Sequence, residues 1–288
     1  MLTRLAGVLF DGIAYGSLLF LISNGLSVTL GLMNFVNLAH GAFAMLGGYL
    51  CVALMRRGVP FLVSLPLVFA AVAIVGALLE RTLYRRLYRA PHLDQVLFSV
   101  GLTFMAVAAA TYAFGPTQQP VELPSFLRGQ VHVLGLDLGR YRLFLVALVA
   151  LITVDLQFLV ERTRFGAQVR AARDNAAASA GLGINVARVF SVTFALGTGL
   201  AGLGGALGID VLGLDPTFAQ KYLVYFLLAV AVGGAGSIKG TALAALVLGI
   251  FDVAGKYYVP EVGAFIIYAL MVVLLILFPA GLYGRSAA

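Results

Sequence analysis

The chain has 288 residues, 61% of them hydrophobic and only 11% charged, with a mean hydropathy of +1.02 and a formal net charge of +7. A soluble domain carries about 25% charged residues, so this composition excludes one and implies several membrane-crossing helices. Excess positive charge in such a chain marks aqueous loops and orientation, not nucleic-acid binding, and continuous Leu, Ala, Val and Gly runs exclude the alternating pattern of a membrane β-barrel.

In chain order, the apolar runs predict spans at about 6–31, 38–55, 60–79, 95–114, 143–160, 188–210, 221–237, 241–258 and 262–280. The expected fold is therefore all-α and polytopic: about eight or nine transmembrane helices forming one domain over 1–288. Residues 33–41 (MNFVNLAHG) interrupt the first apolar stretch with Asn34, Asn37 and His40. Their spacing of three would put all three on one face of a helix. Alternatively, the segment is a break in a helix, which a membrane tolerates only where protein or a cavity satisfies the freed backbone groups. Either way, polar groups at this depth read as a pathway or as interhelical hydrogen-bond glue.

The 80–94 loop carries Arg81, Arg85, Arg86 and Arg89, and the 161–188 loop carries Arg162, Arg164, Arg170, Arg173 and Arg188. Two spans separate these loops, so both are expected on the cytoplasmic side. The tail with Arg285 follows them there, and the N-terminus falls outside. Arg56 and Arg57 then also fall outside, against the charge rule. Within 161–188, the Ala-rich stretch from Ala167 to Ala180 has short-helix composition, and Gly181 and Gly183 end it. Arg170, Arg173 and Asp174 share a face of that helix.

Gly12/Gly16, Gly204/Gly208 and Gly236/Gly240 suit close helix packing. GGAGSIKGT at 233–241 resembles a phosphate loop, but Ile238 stands where Gly must precede the lysine, so it reads as a turn. His40, His92 and His132 lie far apart, and no spacing suggests a metal site or a catalytic dyad. Asp252 and Lys256 are positioned to pair at i, i+4, whereas Asp155 lies deep in its span with no partner evident.

The segments NGLSVTLGLMNFVNLAHGAFAMLGGY and FGAQVRAARDNAAASAGLGINVARVFSVTFALGTGLAGLGGAL, with GGAGSIKGTALAALVLGIFD and the final FPAGLYGR, resemble permease subunits of branched-chain amino acid ABC importers. The pattern resembles that of the H-type permease of the leucine/isoleucine/valine system. The resemblance covers nearly the whole chain, with nothing recognisable at 115–142. It implies a bacterial inner-membrane subunit that works with a second homologous permease, two cytoplasmic ATPases and a periplasmic substrate-binding protein. ATP and Mg would be bound on the ATPases and no cofactor by this chain. It also implies that the 167–183 helix is a cytoplasmic coupling helix, with Arg170, Arg173, Asp174, Gly181 and Gly183 as ATPase-coupling candidates and Asn34, Asn37 and His40 as substrate-pathway candidates. Relatives of this kind also serve urea, short amides or aromatic acids. The competing expectation is a self-contained channel or ion-coupled carrier for a small polar solute such as urea, which would need a filter or paired intramembrane charges.

Overall fold

The computed structural model describes residues 2–33, 35, 37–88, 90–133, 135–278 and 281–283. Asn34, Arg89 and Arg285 lie outside the described residues. Helix α1 (Leu2–Met33) is followed by a non-helical break and by α2 (His40–Arg56). Helix α3 (Phe61–Leu79) passes through a π-helical turn (Glu80–Tyr84) into α4 (Arg85–Leu87), and α5 is His92–Phe114. A small antiparallel hairpin, β1 (Gln130–Val133) and β2 (Leu136–Gly139), occupies the 115–142 loop, for which the sequence carried no reading. Then come α6 (Arg140–Arg162), α7 (Arg164–Asp174), α8 (Ala176–Gly181), α9 (Val186–Leu212), α10 (Phe218–Gly233), α11 (Ile238–Tyr258) and α12 (Gly263–Leu277).

Each expected span coincides with a helix. Among the described residues, six helices are long and apolar enough to cross a membrane: α1, the continuous helix Phe61–Leu87, α5, α6, α9 and α11. Helices α10 and α12 are shorter and apolar. At about 1.5 Å per residue, α1 reaches roughly 48 Å, more than the ~30 Å hydrocarbon core requires.

Helices α1 and α9 form the buried centre, with α2, α3 and α11 packed on them. Small residues make that centre possible. Gly25 of α1 meets Gly197 of α9, and Gly204 and Gly208 lie against Ile22 and Leu18. Gly12 faces Ile250 of α11 so closely that a Cβ there would stand 2.6 Å from its Cα. Without a hydrophobic drive between helices in lipid, such contact depends on backbone approach and dispersion. Helices α5, α6 and α12 lie at the periphery and expose Leu97, Phe104, Met105, Leu151, Phe158 and Phe265.

The bundle has two ends. The end of α1, α4, α7, α8, the start of α9 and the turn 234–237 gather at one, where Leu282 also donates its backbone N–H to the Val232 carbonyl. The start of α1, the end of α2 and the 115–139 segment gather at the other. There Asp11 pairs with Arg142, and Arg56 Nη2 donates to Gln119 Oε1 at 2.6 Å. Arg56 thus sits opposite the Arg-rich loops, as the span count requires, and the hydrogen bond to Gln119 is what accommodates it there.

Here the structure takes the second of the two geometries open for residues 33–41, the break, and corrects one expectation. Asn37 and His40 do not share a helical face, because the chain is non-helical at Asn37 and α2 begins at His40. The 167–183 stretch is not one helix. Asn175 adopts an extended backbone (φ −156°, ψ 101°) and its side chain accepts from Ala178 N, so it ends α7 and caps α8. A short polar side chain that bonds its own downstream backbone competes with helix propagation, and here it outweighs the Ala-rich composition.

Candidate functional site

The break between α1 and α2 is held from three sides. Asn37 Oδ1 accepts the backbone N–H of Ala39 at 3.1 Å and the Tyr84 hydroxyl at 3.0 Å. His40 Nε2 donates to the Ile22 carbonyl of α1 at 2.8 Å, because a carbonyl only accepts. Phe35 meets the Tyr84 ring edge-on, with centroids 5.2 Å apart. Asn37 and His40 are both fully buried. The structure therefore brings Asn37 and His40 together at one buried break. Substituting His40 with leucine removes the tether to α1, and we expect a loss of about 1 kcal/mol, measurable as a lowered melting temperature in detergent.

Tyr84 connects this break to a second buried cluster that sequence reasoning missed. Glu80 begins the π-helical turn and has no exposed surface. Its Oε2 accepts a hydrogen bond from Ser191 Oγ of α9, and its Oε1 accepts the Tyr88 hydroxyl at 2.6 Å. Arg85 Nε lies 3.7 Å from Glu80 Oε1, and Arg85 Nη2 donates to Ser191 Oγ at 3.2 Å. Burial, then the Glu80 carboxylate, push the Tyr88 phenol far above its usual range, which keeps it a donor. Single-turn π-helices inside α-helices occur frequently at functional sites. In the sequence, Glu80 looked like one more solvated charge in an Arg-rich loop. Only the approach of α9 shows that it is interior.

Other buried polar groups were legible only as types. Asn24 of α1 and Thr193 of α9 line a cavity of about 30 Å³, and their side chains have no hydrogen-bond partner among the described residues. A polar cavity of that size has room for a water molecule. The expected Asp252–Lys256 pair is present, with Nζ 2.6 Å from Oδ2. The phosphate-loop look-alike is a turn: Gly234 and Gly236 have φ of +90° and +80°, and Ser237 caps α11 by accepting from Gly240 N. Gly236 N donates to the Ser27 carbonyl at 2.9 Å, which ties the turn to α1.

The coupling candidates divide between α7 and the end of α8. Gly166, Val169 and Ala172 bury one side of α7. Arg170 turns inward and donates to the Val160 carbonyl of α6. Arg173 and Asp174 are exposed at its end, with Nη2 and Oδ1 3.6 Å apart. Arg170 and Arg173 line a cavity of about 240 Å³ shared with Gly31, Gly236 and Lys239. Gly181 ends α8, and Gly183 follows with φ +84°. Between them, Leu182 is 83% exposed at the lip of a groove of about 640 Å³ formed with Phe165, Ile184 and Arg188. No charge or glycine signal pointed to Leu182, and a single exposed apolar side chain is by itself ordinary.

The family described as "Branched-chain amino acid transport system / permease component" matches residues 8–275. Among curated proteins, the chain is 27% identical over 295 residues to the high-affinity branched-chain amino acid transport system permease protein LivH of Escherichia coli K12, covering 96% of this chain and 94% of that one. It is 28% identical to the high-affinity branched-chain amino acid transport system permease protein BraD of Pseudomonas aeruginosa, covering 96% and 95%. To the probable branched-chain amino acid transport permease protein LivH of Methanocaldococcus jannaschii it is 24% identical, covering 96% and 92%. No solved structure matches the chain.

Proposed function

We infer the task of this chain from its kinship: it belongs to the branched-chain amino acid transport system permease family, and its long apolar helices make it a multi-pass membrane protein. It is a transport subunit and not an enzyme, and it works with ATPase and other partners. From there we propose that it moves branched-chain or related amino acids inward through the bacterial inner membrane. The N-terminus and the β1–β2 hairpin face outward, and α7, α8 and the C-terminal segment face the cytoplasm. Two cytoplasmic ATPases bind ATP and Mg, a second homologous permease completes the path, and a periplasmic binding protein delivers substrate. Residues 1–288 act as one permease domain.

The observation that carries this reading is the end of the bundle where α7 and α8 lie. Arg81, Arg85, Arg86, Arg162, Arg164 and Arg188 accompany the exposed Arg173, Asp174 and Leu182 there. Excess Arg at one membrane face marks the cytoplasm, and ATPases reach the chain only from that side. A force on α7 would reach α6 through Arg170 and the α1 end through the wall it shares with Gly31. The α9–Glu80–Tyr84 cluster would extend it to the break at Asn37 and His40. In this role the break is a joint between two packings, and Asn37 and His40 border the substrate path.

The test is reconstitution in liposomes with and without the ATPases and binding protein. Uptake should require ATP and all partners. Uptake by this chain alone would instead establish the channel or carrier reading. Within the complex, replacing Arg173 with glutamate is expected to lower ATP-driven uptake at least tenfold while membrane insertion is unchanged. Unaltered uptake and unaltered ATPase co-purification would sink the docking assignment.

A further inference from the structure

Asp155 sits on α6 at a depth where charge is costly. It lies seven residues before Arg162, about 10 Å inside the cytoplasmic end of the helix at 1.5 Å per residue. It is exposed, and it has no hydrogen-bond or ion-pair partner among the described residues. Helix α6 packs on the bundle through Tyr141, Leu145 and Val149, so its other side points outward. That side is a stripe at helical spacing: Leu151 is 58% exposed, Val154 62% and Phe158 63%, with Asp155 in its middle.

A carboxylate facing hydrocarbon is expensive, and ionisable groups in spans nearly always face protein or pair. A covering surface that presents a cation removes this cost. A second copy of this chain does not supply one. Docking through the same stripe about a two-fold axis would set two Asp155 carboxylates against each other. Among the described residues, the Lys and Arg side chains lie on the terminal turns of the long helices, on α7 or in loops, Arg170 of α7 is half-buried on the Val160 carbonyl, and His40 is fully buried, so no exposed cation stands at this depth. We propose that the α6 stripe Leu151–Val154–Asp155–Phe158 is the docking surface for a second, non-identical permease chain that sets a Lys, Arg or His against Asp155. The proposal rests on the two-permease reading of the function and adds to it which helix is the seam and why the pair is a heterodimer.

The experiment uses the whole complex in its native membranes. p-Benzoylphenylalanine at Phe158 is expected to form, on irradiation, an adduct that mass spectrometry identifies as a different permease of the same family. Asp155→Leu should lower the second permease recovered with this chain at least tenfold, and Asp155→Glu should restore it. A stripe that meets only lipid gives no protein adduct, and there Asp155→Leu leaves recovery unchanged or raises it. Either result overturns the proposal, as does an adduct with a second copy of this chain. Should Asp155→Leu fail to accumulate, the Phe158 adduct decides alone. Wild-type complex that retains a second permease without a Phe158 adduct overturns only this seam. Wild-type complex without any second permease overturns the two-permease reading as well.

Discussion

Replacing Gly205 with valine is expected to cost about 3 kcal/mol or more and to lower the fraction of chain recovered monodisperse in detergent. A Cβ at Gly205 would intrude on the Ala44 carbonyl oxygen of α2, a backbone atom that cannot rotate away. One turn earlier on α9, Gly202 meets Gly47 of α2 with equally little room. The two helices must therefore separate or rotate. Overpacking in a well-filled core costs about 1–3 kcal/mol, and more where the backbone itself must move. Because α9 also carries the contacts to α1 and α3, the displacement is not absorbed locally. The control is Gly101→Ala on α5, where a Cβ would meet nothing within 4 Å. There the expected outcome is a gain of up to about 1 kcal/mol from helix propensity. Thermal unfolding of both variants in one detergent checks the pair, and equal melting temperatures would contradict the packing assigned to α9.

Replacing Glu80 with leucine is the second large effect, expected at about 2–3 kcal/mol. The substitution strands the Ser191 and Tyr88 hydroxyls and the inner side of Arg85 around a site with no exposed surface. Leaving buried donors unsatisfied costs about 1–3 kcal/mol. The loss stays below the range for breaking a fully buried ion pair, because the Arg85 side chain is 45% exposed and can turn to water. Glu80→Gln keeps an acceptor for Tyr88 and should cost less. Glu80→Gln and Ser191→Ala touch the same hydrogen bond, so their effects should be non-additive in a double-mutant cycle. Additive losses would show that the two side chains do not act together. The same variants should impair ATP-driven uptake beyond their stability cost if the π-helical turn relays motion to the break.

Residues 33–41 illustrate what sequence reasoning reaches and where it stops. Polar groups in an apolar run marked a place where the helix must answer for buried polarity, and the break was one of two geometries the pattern allowed. Choosing between them required Tyr84, 47 positions downstream of Asn37, and the Ile22 carbonyl, 18 positions upstream of His40. Asn175 is a similar case: its neighbours have helix-forming composition, and one side-chain hydrogen bond to Ala178 splits the segment. The exposure of Leu182 had no signal at all, since it depends on what packs beside it.

By itself the sequence determined that the chain is a polytopic membrane protein, where its helices run, which loops share a face and which family it resembles. Those properties follow from sums over neighbouring residues: apolar length against bilayer thickness, and net charge against orientation. Tertiary structure alone decided that Glu80 is interior, that Asn37 and His40 meet at a break and not on a helix face, and that Asp155 is left facing outward. Each of these depends on which helix stands beside which. That is set by backbone approach at glycines such as Gly47, Gly202 and Gly205, where a single methyl group decides whether two helices can touch.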